Sequence, residues 1–252
     1  MSITRGIVGC WSPSLGASGF LLRDVGRRNN HGTLQGMTSP EWQPRPFGLG
    51  VNFDGTDNNV RLPNVLENPE QTVIAWINPR SFPNAYNTVI CKNEASNRYW
   101  TMLVKSNGKM AYYVYTISGV FVDGTGVFTL AANSSYCVAL SYSASRGLTG
   151  YVNGQIDGTA SGDFAPTTGS TFANIGSHSE ALAGGGSGRF FDGIISEVGI
   201  WSRVLESAEI AELYRRGNGW LGRELTGMNQ RRTLGRLQTV NRRRRLLCGG
   251  MT

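Results

Sequence analysis

Phe191-Asp192-Gly193-Ile194-Ile195-Ser196-Glu197-Val198-Gly199-Ile200-Trp201 is the stretch on which the fold turns. From Ile194 onward β-branched and aromatic residues fill it, interrupted only by Ser196, Glu197 and Gly199. A run of that length and composition without proline reads as a strand. Directly after it, over 206–216, Ile210, Leu213 and Tyr214 fall at the i, i+3, i+4 spacing of one helical face. Arg215 and Arg216 suit the negative end of a helix dipole, and Gly217 is a natural residue to end it.

Upstream, short strand signals follow one another. Residues 51–53 and 60–62 flank the polar turn Asp54-Gly55-Thr56-Asp57-Asn58-Asn59. Strands are predicted over 72–77, 88–92, 99–105, 109–116, 120–122, 126–130, 136–142, 148–152, 155–159, 171–175 and 189–191. Ser106-Asn107-Gly108 and Asn153-Gly154 lie between pairs of them, as hairpin turns whose Asn and Gly tolerate positive φ. No internal repeat is present. About a dozen short strands and one helix predict an all-β, two-sheet sandwich or jelly roll.

Composition agrees. The chain has 252 residues, 34 of them glycine, with 16% charged and 40% hydrophobic. That excludes a coiled coil, a disordered chain and a charged helical bundle. The four cysteines, Cys10, Cys91, Cys137 and Cys248, form no CxxC pair and are read as free thiols. No stretch reaches the ~20 apolar residues of a membrane span, and the segment before Cys10 is too short for a signal peptide. Synthesis in a cytoplasm, without export by a signal peptide, is therefore expected.

Charge is unevenly placed. From Arg215 on there are ten arginines and one acid, Glu224; the first 214 residues hold 14 bases and 16 acids. Residues 218–252, ending in Arg242-Arg243-Arg244-Arg245 and its neighbours, are read as an extended basic arm beyond a domain of residues 1–217. The core is expected to be complete by the single helix, so removal of the arm should leave a folded sandwich. Four consecutive arginines contact phosphates without reading bases. The arm lacks aromatic interleaving, however, and its leucines suit docking on protein better than on nucleic acid.

Four motifs in order carry a resemblance. Asp24-Val25-Gly26-Arg27-Arg28-Asn29-Asn30-His31-Gly32 is similar to D-x-S-G-x-G-N-x-G. Phe53-Asp54-Gly55-Thr56-Asp57-Asn58-Asn59-Val60 is similar to F-D-G-x-x-D-Y-V. Tyr151-Val152-Asn153-Gly154 is the third, and the 191–201 stretch with its following helix, similar to F-x-G-x-I-D-E-V-x-I-Y/W, is the fourth. Over about residues 5–217 the chain resembles the concanavalin A-like, laminin G-like lectin/glucanase superfamily, and within it the pentraxin-like branch of bacterial and viral type. The resemblance implies a two-sheet antiparallel sandwich. It also implies a structural calcium ion, with Asp24 and Glu197 as two ligands among the roughly 6–8 oxygens the ion needs. The departures are Arg27 and Asn29 in place of glycines and Ser196 in place of an acid. The alternative is that Asp24 caps a turn and Glu197 bonds a backbone amide.

Some relatives hydrolyse glucans with two carboxylates on one strand, but no E-x-D-x-x-E or similar run occurs here. Asp192 and Glu197 lie five apart, on opposite faces of an ideal strand, and His31 and His178 have no nucleophile motif beside them. Gly184-Gly185-Gly186-Ser187-Gly188 lacks the Lys-Ser/Thr of a phosphate-binding loop. The chain is therefore read as non-enzymatic. Candidate aromatics for stacking a sugar are Tyr86, Trp100, Tyr113 and Tyr115, with Tyr113 and Tyr115 on one strand face and Tyr112 on the other.

Two functions are expected. The first is a virion surface or decoration protein, assembled in a host cytoplasm. Its sandwich would face outward, and Arg231, Arg232, Arg236, Arg242, Arg243, Arg244 and Arg245 would dock it on neighbouring subunits of the assembly. The second is a stand-alone carbohydrate-binding module, for which cell-surface glycans are the partners.

Overall fold

The computed structural model describes residues 2–13, 16–26, 28–45, 48–63, 69–94, 97–115, 121–162, 172–178 and 189–230. The loop 184–188, Cys248 and the arginines of the arm from Arg231 to Arg245 lie outside them.

In chain order the first strands are β1 (Ile7–Trp11), β2 (Leu21–Leu22), β3 (Gly32–Gln35), β4 (Trp42–Arg45), β5 (Gly48–Asp54) and β6 (Asn59–Leu62). Then come β7 (Gln71–Pro79), β8 (Tyr86–Glu94), β9 (Asn97–Lys105), β10 (Met110–Tyr115) and β11 (Phe121–Asp123). The last are β12 (Tyr136–Ser143), β13 (Gly147–Val152), β14 (Gln155–Ala160), β15 (Ala173–Ile175) and β16 (Asp192–Trp201). The first sheet runs β14-β13-β12-β7-β16-β5-β4, with β1 also paired to β16. The second runs β11-β10-β9-β8-β15-β6-β3-β2. The named strands pair antiparallel, and the two sheets form the expected sandwich.

The deciding stretch is the central strand of the first sheet. β7 runs along one side of β16, while β5 and β1 share the other, β5 against Asp192–Ile195 and β1 against Val198–Trp201. Ile195, Val198 and Ile200 enter the core between the sheets, where they join Phe53, Leu62, Ile90, Trp100, Met102, Tyr112 and Phe191. Trp201 faces the other way, into a second apolar layer.

Hairpin chemistry behaves as read. Asn153 and Gly154 sit at φ 51° and 79° between β13 and β14, the doubly positive geometry of a two-residue hairpin turn. Gly150 on β13 answers a different need: a Cβ there would lie 2.2 Å from the Tyr112 ring. That ring crosses the core so that its hydroxyl reaches Asp157 Oδ2 at 2.9 Å.

Residues 126–130 do not form the expected strand. The N–H groups of Val127 and Phe128 are instead taken by Asp157 Oδ1, at 2.8 and 2.7 Å. Residues 189–191 likewise precede β16 rather than pair as a strand of their own. β1, β2, β3 and β4 are not among the predicted strands. They are short pieces, and polar residues and glycines in or around them blur the period of two.

The predicted helix is α1 (Ser207–Arg216). Glu206 caps it in a reciprocal box with Glu209, whose carboxylate also receives both arms of Arg203 at 2.7 Å. Gly217 ends it at φ 82°.

Where an extended arm was expected, a second helix, α2, occupies 220–230. Leu221 and Leu225 are 2% and 7% exposed and pack with Cys10, Ile74, Cys137, Tyr151, Trp201, Ile210 and Leu213. The second apolar layer, between the first sheet and both helices, therefore runs past residue 217. Scattered leucines concealed this because α2 is anchored by two of them alone. Among the described residues no helix is long and apolar enough to cross a membrane.

Candidate functional site

Two places bring the predicted site residues together: the outward face of the second sheet and the seam beneath α2. Paired residues of an antiparallel ladder point to one side of the sheet. Leu21, Thr33, Arg61, Asn174, Cys91, Thr101, Tyr113 and Asp123 are successive partners across all eight strands of the second sheet. Their strand neighbours Leu22, Leu34, Val60, Leu62, Ile175, Ile90, Met102, Tyr112 and Val114 belong to the core between the sheets. The row therefore faces away from the core.

Along this row Thr33, Arg61 and Asp123 are exposed, Tyr113 is half-buried, and Asn174, Cys91 and Thr101 are buried. Asn174 Oδ1 and Thr101 Oγ1, with Thr88 Oγ1 nearby on β8, have no hydrogen-bond partner among the described residues. The Tyr86 ring, 38% exposed, carries the Arg189 guanidinium 5.7 Å from its centroid. Burial pushes the Tyr113 hydroxyl well above the usual phenol range; Asp123, Tyr86 and Tyr115 add to the shift and Arg189 opposes it. These five groups thus form one neighbourhood. At its edge Lys105 Nζ donates to Asp123 Oδ2 at 3.3 Å and to Thr125 Oγ1 at 2.8 Å.

Of the four predicted aromatics, the structure gathers Tyr86, Tyr113 and Tyr115 here. Tyr115, on the same side of β10 as Tyr113, is 8% exposed and offers little surface of its own. Trp100 is a correction. It is fully buried in the core, on the inward phase of β9 opposite Val114 and Lys92. Its Nε1 has no partner among the described residues, and its ring has no surface to offer a sugar. Residues missed at the sequence level are Arg61, Arg189, Lys105, Asp123 and Phe172. Only Arg61 gave a signal, as a charge between the apolar Val60 and Leu62 of an alternating strand.

The seam under α2 holds the pair expected to bind calcium, and its donor set does not fit the ion. Asp24 Oδ1 accepts the N–H groups of Cys10 and Gly26 at 2.9 and 2.8 Å, and Oδ2 accepts that of Asn30 at 3.0 Å. Glu197 Oε1 accepts the Ser12 hydroxyl at 3.0 Å and the Gly222 N–H at 2.8 Å. A calcium ion needs oxygens whose lone pairs point inward; here N–H and O–H donors already occupy them. Among the described residues no three His, Cys, Asp or Glu side chains gather as a metal shell. Asp24 closes a turn and Glu197 receives the first turn of α2.

Burial raises the Glu197 carboxyl above its usual range, against the pull of its N–H partners. Burial and the nearby Glu197 push the thiols of Cys10 and Cys137 up as well; like Cys91, both are buried and form no disulfide. A carboxyl with a raised folded pKa favours the native state while protonated. Its cost sets in as pH climbs through the raised value. Glu197→Gln keeps an acceptor for Gly222 without the charge. It is therefore expected to lose less stability than the parent chain as pH rises above the usual carboxylate range, as read from thermal melts. Equal losses would contradict this.

Asp192 and Glu197 share no partner: Asp192 is held by Arg80 and by the Ser81 hydroxyl at 2.6 Å. Asp192 lies opposite Asp54 in the β16–β5 register, and Asp54 Oδ1 in turn accepts the N–H groups of Thr56, Asp57 and Asn58 at 2.9, 3.2 and 3.2 Å.

Residues 54–211 match a family model described as the concanavalin A-like lectin/glucanases superfamily, and the chain belongs to that superfamily. Among solved structures it is similar to Trypanosoma rangeli sialidase, with a TM-score of 0.59 and 17% identity over 84% of this chain and 33% of that one. It therefore spans about a third of the sialidase's length. Domain 4 of AbnA, an extracellular arabinanase from Geobacillus stearothermophilus solved with arabinotriose, gives a TM-score of 0.59 and 16% identity over 82% of this chain and 97% of that one. The binding domain of Paraclostridial Mosquitocidal Protein 1 gives 0.63 and 13%, over 84% and 52%. No curated protein sequence matches the chain. The superfamily holds both glycan hydrolases and binding domains, and identities this low establish the fold alone.

Proposed function

We propose that this chain is a non-catalytic domain that binds saccharide on the outward face of its second sheet. The observation that carries the reading is the cluster of Tyr86 and Tyr113 with Arg189, Asp123 and Lys105. Two rings of this face are accessible at least in part and have hydrogen-bonding and charged groups beside them. An aromatic surface with a few placed polar groups is what a binding site for a polyhydroxylated ligand requires. α1 and α2 pack against the outward side of the first sheet; on the second sheet the middle of the row is buried and the accessible groups lie toward its ends, Thr33 and Arg61 on one side and Tyr113 and Asp123 on the other. The carboxylates of Asp192, Glu197 and Asp54 support the absence of hydrolysis, because each is held by donors of its own.

The test is a glycan-binding panel with the full chain and with Tyr113→Ala. Binding of at least one glycan is expected, weakened tenfold or more by the variant, with the melting temperature of the fold retained. Binding that is indifferent to Tyr113 would refute the site, and turnover of any glycan would refute the non-catalytic reading.

The virion reading draws on the arginine content of 231–252, which is outside the described residues. Neither the family match nor the relatives above concern viral particles. It stands as a proposal on charge alone: the arm would pair with carboxylates of a protein partner.

A further inference from the structure

We infer that the saccharide recognised by this face carries carboxylates, and that Arg61 is the residue that selects them; the inference rests on the glycan-binding role proposed above. Arg61 lies mid-strand in β6 with Val60 and Leu62 fully buried on either side, so its side chain is committed to the outward face. Its guanidinium carbon stands 3.6 Å from the centroid of the Phe172 ring, which is itself 41% exposed. A guanidinium lying on a ring is held flat by the ring quadrupole, while its N–H edges stay directed outward. Those edges form the planar fork that matches a carboxylate, and the entropy of ordering the side chain is already partly spent.

The charge around Arg61 supports the same conclusion. The acid of its own register row, Asp123, is five strands away across the sheet, roughly 24 Å at ~4.8 Å per strand. Asp123 is already bound by Lys105 and Thr125. Arg189, over Tyr86 at the β8 level, places a second cation on the face at least two strands, or about 10 Å, from Arg61. The first 214 residues are slightly acidic as a whole, so a cationic sheet face arises from placement rather than from composition. A neutral sugar needs rings and hydroxyl partners but not an exposed guanidinium presented on an aromatic ring.

The experiment uses the full chain and matched pairs of probes: oligogalacturonate against its methyl ester, and sialyllactose against lactose. The two pairs separate a uronate source of the carboxylate from a terminal acidic sugar. The charged member of at least one pair is expected to bind tenfold or more tighter than its neutral twin at low salt, and the preference should shrink as salt rises. Arg61→Gln should bring the charged ligand down to the affinity of the neutral one. Arg61→Lys, which keeps the charge and loses the fork, should fall between. Arg61 is a surface residue, and unchanged thermal melts would show that the variants fold. Equal affinities within both pairs, or a preference that survives Arg61→Gln, would overturn the inference while leaving the saccharide reading of the face intact. Binding of no saccharide at all would overturn that reading, and the inference with it.

Discussion

A chain ending at Gly217 is expected to be unstable, in contrast to one ending at residue 230. The shorter chain loses Leu221 and Leu225, both packed into the layer between the first sheet and α1. Each buried leucine contributes about 1.5–3 kcal/mol. The truncation also uncovers Trp201 and Cys10 and strips Glu197 of the Gly222 N–H, leaving a buried carboxylate with fewer donors. A loss of roughly 5 kcal/mol or more is a large part of the ~5–15 kcal/mol by which domains are stable. The expected outcome is an insoluble product or a greatly lowered melting temperature for the 1–217 chain, while the 1–230 chain melts close to the full-length protein. Calorimetry on the three chains checks this, and equal melting of the 1–217 and 1–230 chains would contradict it.

The second large effect is expected at Asp157. This side chain is 2% exposed and accepts from Tyr112 Oη, from the Val127 N–H and from the Phe128 N–H. It thus ties the inward ring of β10 to the segment that follows β11. Asp157→Ala removes the carboxylate from all three: the Phe128 N–H loses its acceptor, while the Val127 N–H keeps only the Asp157 main-chain oxygen at 3.0 Å and the Tyr112 hydroxyl only the Tyr151 carbonyl at 3.2 Å. Hydrogen bonds to a charged group contribute about 1.5–3 kcal/mol each, so a total near 4 kcal/mol is expected with partial relaxation. For a chain of this size that lowers the melting temperature by roughly 8–16 °C. Asp157→Asn retains the oxygen that serves Val127 and Phe128 and is expected to cost less than half as much. If the alanine and asparagine variants melt together, the acceptor role is wrong.

These two sites also show where the sequence was legible. The sandwich, the central strand 192–201 and α1 could be read because their signals are local: a β-branched run, an i, i+3, i+4 face, an Asn-Gly turn. The role of Asp157 was not legible, because its donors lie 29–45 residues away and the strand-like run at 126–130 concealed them. α2 was missed because Leu221 and Leu225 are a single i, i+4 pair among glycines and polar residues, too short a pattern to mark a helix. For the candidate site, the phase of β10 correctly placed Tyr113 and Tyr115 on one side. Trp100 failed because composition alone does not fix the phase of β9. Only the register with β8 and β10 shows that Trp100, and not Thr101, points into the core. The calcium expectation came from the resemblance at Asp24 and Glu197. The structure keeps both carboxylates at those places and gives their oxygens to backbone amides and a hydroxyl.

The central claim is that the outward face of the second sheet is where this domain meets its ligand. The most direct measurement is a crystal structure of the full chain with its tightest-binding oligosaccharide. The account predicts sugar density against the rings of Tyr86 and Tyr113, within hydrogen-bonding reach of the groups around them. Density seated elsewhere, for example among the N-terminal residues and the two helices on the opposite side of the sandwich, would contradict it.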